Sequence, residues 1–256
     1  MEETAAPRIV LDGVRAWLVD LTASGDGLLA LEEEAPRLSA EELARGRDLS
    51  ARGDAGRWLV AHIALRLVLE RFAGAAVRQR PFEQTAQGKP FLPDCDLGFS
   101  LSHSSGHALI AIGPSGPLGA DLECPRAIKM SPTRQDAIIS AAADMSAQPL
   151  AAGAPDKFLQ AWVRLEALAK ADGVGIGRIL SQAGAFGPRR GQGAVGVNPA
   201  GLVVRDLAAG EGLFAALACD PKISFKGLAW CPAGRDGLRA FASGEAGADQ
   251  PVRPAC

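Results

Sequence analysis

Two carboxylates two residues apart, Asp121 and Glu123 in GADLE, end the apolar stretch HALIAIGPSGPL. In a strand, residues i and i+2 share a face. Two like charges about 4 Å apart repel by roughly 4 kcal/mol at an effective dielectric near 20. The pair asks for a positive partner, either a side chain or a metal ion. Glu166 and Lys170 lie four residues apart in FLQAWVRLEALAKADGVGI, with Trp162 one turn earlier, so the three share a helix face. They form either an ordinary helix ion pair or a third carboxylate beside a site, with the glycines of DGVGI leaving room for a ligand. Lys89, between Gly88 and Pro90 in QGKPFLP, is a turn lysine or an anion contact. In GFSLSHSSGHAL, Ser102 and His103 close a strand before a turn. A hairpin histidine is the plain reading and a serine hydrolase the sharp one, although no G-x-S-x-G elbow accompanies it. Arg45, Arg47, Arg52 and Arg57 precede and open a long helix, as a solvated face or as guanidinium forks for phosphate.

These residues need elements to position them. Residues 8–20 read as an opening strand. LSAEELARGRDL starts a helix, with Ser39 as N-cap and Glu42 as its capping-box partner. Asp54 is a candidate cap for the long helix that follows, and Gly74 its stop. Strand candidates run over 77–83, 98–102, 107–112 and 118–123, separated by Gly, Pro and Asp. A seam over 124–155 is expected to hold one helix, and a further helix runs from about Asp156 to Ala171 before Gly173. Strands return over 202–206, 212–219 and 223–230. The expected organisation is an N-terminal α+β half (1–123), the seam (124–155), a C-terminal α+β half (156–231) and a disordered tail (232–256).

Composition narrows the function classes. A chain of 256 residues with 48% hydrophobic residues can bury a sizeable core. A net charge of −2 argues against a duplex binder, and the absence of tyrosine argues against base-stacking platforms. Five cysteines without a CxxC pair suggest neither zinc nor a disulfide framework, which fits a reducing, cytoplasmic setting. The acidic start MEETAAPR does not read as a signal peptide. WLVAHIALRLVLERFAGAAV carries His62, Arg66, Glu70 and Arg71, the mark of an amphipathic helix rather than a membrane span.

Taken in order, the G-K-P lysine, the S-H turn, the G-x-D-x-E strand end and W-x-x-x-E-x-x-x-K closed by G-x-G make the chain resemble the Sfp-type 4′-phosphopantetheinyl transferases. The resemblance runs from about Ser39 to Ile176 and more loosely beyond. It implies two similar α+β halves related by a pseudo-twofold arrangement, with the active cleft between them, in a monomer. It implies transfer of the 4′-phosphopantetheine arm of coenzyme A to a serine of an apo acyl or peptidyl carrier protein, releasing adenosine 3′,5′-bisphosphate. Asp121, Glu123 and Glu166 would hold Mg²⁺, with Glu166 activating the serine and Lys170 facing the phosphates. Lys89, Ser102, His103, Arg45, Arg57 and Arg126 would contact coenzyme A. Leu165 stands where the family often has lysine, with Arg164 a neighbour that could reach round in its place. This feature favours the alternative, a coenzyme A- or carrier-binding homologue that has lost turnover.

Overall fold

The computed structural model describes residues 11–50, 55–146, 150, 156–182, 201–245 and 250–251. The chain runs β1 (Val14–Asp20), α1 (Leu21–Glu34), α2 (Ala40–Ser50), α3 (Ala55–Ala73) and a 3₁₀ turn (Ala75–Val77). Then come β2 (Glu83–Gln84), β3 (Pro90–Phe91), β4 (Leu97–Ser104), β5 (His107–Pro114) and β6 (Leu118–Glu123). The remainder is α4 (Pro132–Met145), α5 (Lys157–Asp172), α6 (Ile176–Gln182), β7 (Val203–Asp206), β8 (Phe214–Cys219), β9 (Phe225–Trp230), α7 (Arg235–Ala242) and β10 (Gln250–Pro251). The protein is mixed α+β. Its sheets have five strands in the order β10-β9-β1-β5-β4, three in the order β6-β8-β7, and two in β2-β3.

Alternation along β1 shows how the layers stack. Trp17 and Val19 join an apolar cluster with residues of α1, α3 and α7, while Ala16 and Leu18 join one with Leu118, Ala120 and Leu122 of β6. Successive strand residues point to opposite faces, so the five-stranded sheet carries helices on one side and the three-stranded sheet on the other. Ala216 and Ala218 of β8 then pack against α4 and α5. The order is helices, sheet, sheet, helices. Gly119 permits the closest approach in the last interface. A Cβ there would lie 2.0 Å from the Ala167 carbonyl oxygen and 2.4 Å from the Ala171 nitrogen, so only glycine lets β6 lie against α5.

Local signals explain the element ends. Ser39 and Glu42 form the reciprocal capping box: the Ser39 N–H donates to Glu42 Oε2 (2.9 Å) and the Glu42 N–H to Ser39 Oγ (3.3 Å). Ser105, with φ at 55°, and Gly106 turn β4 into β5, and Gly173 ends α5 in the left-handed region with φ at 74°. Asp54 and Arg52 lie outside the described residues.

Four expectations change. The boundary after Glu123 is not where sheet membership changes, because β6 pairs with β8 and belongs with the later strands. Conversely β9 returns to pair in parallel with β1, so a strand assigned to the C-terminal half completes the N-terminal sheet. The stretch from Pro232 is not simply a disordered tail: Leu238 and Phe241 of α7 are buried, and Phe241 meets Trp17 edge-on at 5.9 Å. A Gly- and Ala-rich composition hid the i, i+3 spacing of those two side chains. The candidate strand over 77–83 is instead a 3₁₀ turn and a two-residue β2, while α1 forms despite Gly25 and Gly27, started by two hydrogen bonds from the Thr22 and Ala23 N–H groups to Asp20.

Candidate functional site

β4 and β6 are edge strands of different sheets, and three serines of β4 join them. Ser100, Ser102 and Ser104 recur every second residue and so share a face. Ser100 Oγ accepts from the Ala120 N–H (3.0 Å), Ser102 Oγ donates to Asp121 Oδ1 (2.7 Å), and Ser104 Oγ donates to Glu123 Oε2 (2.9 Å). This ladder sets the two carboxylates. The sequence analysis singled out only Ser102; the S-x-S-x-S period in GFSLSHS was the signal for the other two.

The question of what offsets the two strand carboxylates has an answer made of side chains. Lys170 Nζ lies 2.7 Å from Asp121 Oδ1, and Arg126 Nη2 lies 2.9 Å from Glu123 Oε1. α5 delivers Lys170 to this point because its packing at Gly119 brings it against β6. Glu166, one turn earlier, makes no hydrogen bond or ion pair among the described residues. Burial raises its pKa, with the charges of Asp121 and Glu123 adding to that and Lys170 opposing. Asp121 is raised too, mainly by burial, despite Lys170 and Ser102. The three acids therefore feel one another.

An oxygen-only donor set under mutual repulsion matches the chemistry of a hard divalent cation. In their present arrangement two of the acids carry protein cations instead, and among the described residues no three His, Cys, Asp or Glu side chains are grouped to hold a metal ion.

A cavity of about 430 Å³ adjoins this cluster, a size usual for small-molecule sites. His62 and Leu65 of α3, Phe99 to Leu101 and His103 of β4, the β2–β3 hairpin around Lys89, and Lys170 all contribute to its wall. It thus brings together Lys89, His103 and Lys170. Lys89 Nζ donates to the carbonyls of Leu118 (2.9 Å) and Ala171 (3.5 Å), and burial lowers its pKa to about 8. His103 keeps an exposed edge, yet partial desolvation and then the positive charges of His62, Lys170 and Arg57 lower its pKa.

The other expected contacts sit outside the cavity wall. Ser102 is buried against Asp121. Arg57 donates to the Ser105 carbonyl (3.2 Å), on the turn that follows His103. Arg45 lies over the Trp58 ring at 5.8 Å. Arg126 lines a separate groove of about 380 Å³ with Lys129, Phe158 and Trp162. Arg164 does not substitute for a lysine at position 165: it is buried and held by Asp206, with Nε at 2.8 Å from Oδ1, and by Ser146. Leu165 itself is fully buried in the cluster between α4, α5 and the three-stranded sheet.

Comparison with known proteins gives the relationship. A Synechocystis protein, provisionally named a 4′-phosphopantetheinyl transferase, is 32% identical over 156 residues, which are 57% of this chain and 61% of that protein. The 4′-phosphopantetheinyl transferase HetI of a Nostoc species is 28% identical over 183 residues, 67% of this chain and 73% of HetI. The chain is thus similar to two proteins named as 4′-phosphopantetheinyl transferases. It spans about three fifths of the length of the first of these two relatives. No protein-family model matches it. Among the described residues, no helix is long and apolar enough to cross a membrane.

Proposed function

We propose that this protein transfers the 4′-phosphopantetheine arm of coenzyme A to a serine of an apo acyl or peptidyl carrier protein, as a holo-[carrier protein] synthase, and releases adenosine 3′,5′-bisphosphate. The observation that carries the reading is the position of Lys170, which lines the cationic cavity and at the same time pairs with Asp121. A polyanionic cosubstrate in the cavity would then have its phosphates beside the carboxylate cluster. Lys89 adds a second amine and His103 an imidazole to the same wall. Glu166, without a hydrogen bond or ion pair among the described residues and with a raised pKa, is suited to take the proton of the attacking serine hydroxyl. Lys170 would stabilise charge that develops as adenosine bisphosphate leaves. Arg45 and Arg57 stand close enough to the His62 and His103 side of the site to attract the nucleotide end.

Asp121, Glu123 and Glu166 would hold Mg²⁺, which when bound supplies Lewis-acid stabilisation of a pyrophosphate. The helix–sheet–sheet–helix layering is compatible with two similar halves and a cleft between them. A monomer and a cytoplasmic setting belong to the same proposal. A second reading, a coenzyme A-binding homologue without turnover, is favoured by Lys170 and Arg126 already occupying two of the three carboxylates.

The intact mass of a generic apo carrier protein, after incubation with this protein, coenzyme A and Mg²⁺, separates the two. A gain of one phosphopantetheine, abolished by EDTA, is the expected result. No gain across several carriers, with coenzyme A still bound, supports the second reading.

A further inference from the structure

We propose that Arg126 is a displaceable counter-ion that competes with a divalent cation for the Glu123 carboxylate. The inference rests on the reading of Asp121, Glu123 and Glu166 as Mg²⁺ ligands. The competition falls on one acid of the three. Glu166 makes no hydrogen bond or ion pair among the described residues, so both its oxygens are open there. Asp121 receives Ser102 Oγ and Lys170 Nζ on the same atom, Oδ1, and among the described residues Oδ2 is open. Glu123 has neither oxygen open. Its Oε1 takes Arg126 Nη2 at 2.9 Å, and its Oε2 takes Ser104 Oγ at 2.9 Å and Arg126 Nε at 3.3 Å.

The two partners of Glu123 differ in what they allow. Ser104 belongs to β4 and holds only Oε2, an arrangement that orients a carboxylate while its other oxygen binds a cation. Arg126 covers that other oxygen. A guanidinium keeps its proton, so it clears Glu123 only by turning away. Turning away costs little. Arg126 has 49% of its side chain exposed and Glu123 16%, and an ion pair wetted on one side contributes modestly. Residues 124–129 belong to no helix or strand, so no regular element has to move with the side chain. Room exists on the far side, where Arg126 already lines the groove with Lys129, Phe158 and Trp162.

Lys170 does not compete in the same way. Its ammonium also reaches the Leu101 carbonyl at 3.5 Å, and it leaves Asp121 one open oxygen. Asp121 thus keeps a donor for a cation with Lys170 in place, whereas Glu123 offers none with Arg126 in place. Arg126 therefore weakens metal binding by the protein alone, and its removal strengthens it. A purely structural role for this side chain predicts no such gain.

The test is calorimetric titration of the full chain, stripped with EDTA and desalted, with Mg²⁺ and with Mn²⁺ in the absence of coenzyme A. Arg126→Gln is expected to bind both ions at least about threefold more tightly than wild type, as for removal of a partly exposed ion pair. Its melting temperature should stay within about 2 °C of wild type. Unchanged or weaker affinity in Arg126→Gln overturns the inference. Glu123→Gln separates competition from bulk charge. In that background the gain from Arg126→Gln should shrink to less than about 1.5-fold, because the contested oxygen is gone. A gain of undiminished size there means that Arg126 acts only as a neighbouring charge, and overturns the inference. Metal bound equally by wild type and Glu123→Gln removes Glu123 from the ligand set, and the competition with it. Binding of neither ion by wild type or by Arg126→Gln removes the metal reading of the three acids itself.

Discussion

Two clusters of buried charge, both anchored on carboxylates that are almost inaccessible to water, behave in opposite ways. Glu42 receives Arg66 Nε at 3.0 Å, His62 at 3.0 Å and the Ser39 N–H at 2.9 Å. Burial is the largest influence on it and acts to raise its pKa, yet these partners together bring the pKa below the ordinary value. Glu70 nearby is held likewise by Arg37 (2.7 Å) and Arg78. Asp121 is as buried, but Lys170 and Ser102 together do not offset its desolvation and its pKa rises; Glu166, with no hydrogen bond or ion pair among the described residues, rises as well. The first cluster uses charge to close the structure. The second holds charge in an environment that disfavours it, the pattern expected where ligands and protons are handled.

The contrast can be broken from either side. The largest loss is expected from Glu42→Ala, which leaves Arg66 buried without its carboxylate and should cost about 3–5 kcal/mol in chemical denaturation. A loss below about 1 kcal/mol would place the Glu42 cluster in the same class as the site.

Leu165→Lys should cost at least about 3 kcal/mol, because the side chain is fully enclosed by apolar neighbours and the ammonium would have no partner there. Stability equal to wild type would mean that the position opens toward the site. A lysine at position 165 is therefore not a simple substitution in this fold.

Glu166→Gln should lower carrier modification by at least about 100-fold while leaving the fold slightly more stable, with a melting temperature higher by roughly 2 °C. The sign follows from linkage. A carboxyl whose folded pKa is raised favours the folded state below its unfolded pKa, here 4.5, and loses that contribution as pH rises through the folded value. The stability gap between variant and wild type should accordingly be present at pH 7 and close toward pH 4. Glu42, lowered, runs the other way: its contribution is present above pH 4.5 and is lost as pH falls through its folded value. A Glu166→Gln protein that modifies carriers normally would refute the role given to this carboxylate.

Much of the local structure was legible in the chain because its causes are local. The Ser39–Glu42 box, the turn after His103 and the glycine ending α5 each depend on a few neighbouring residues, and the strand stretches 98–102, 107–112 and 118–123 were bounded by turn residues. The candidate site was legible as types and order: Asp121, Glu123, Glu166 and Lys170 could be named, and so could the need for a positive charge. What could not be read is which charge answers which carboxylate. Lys170 meets Asp121 across 49 positions only because Gly119 lets α5 settle on β6. His62 was visible merely as one polar residue on a long helix, since the cavity it lines is built from α3, β4, α5 and the β2–β3 hairpin together. Sheet membership failed for the same reason, as nothing near Phe225 announces a partner near Val14.

That parallel pairing of β9 with β1 has a consequence for the order of events during synthesis. β1 leaves the ribosome before the other described elements, yet its edge toward β9 stays unpaired until residue 230 follows it. An open edge is a template for other chains, and contacts so far apart in sequence form slowly because a long loop must close first. The nascent protein therefore passes through a long interval in which an apolar strand waits half-paired, and the time spent there, rather than the stability of the finished molecule, sets its exposure to aggregation.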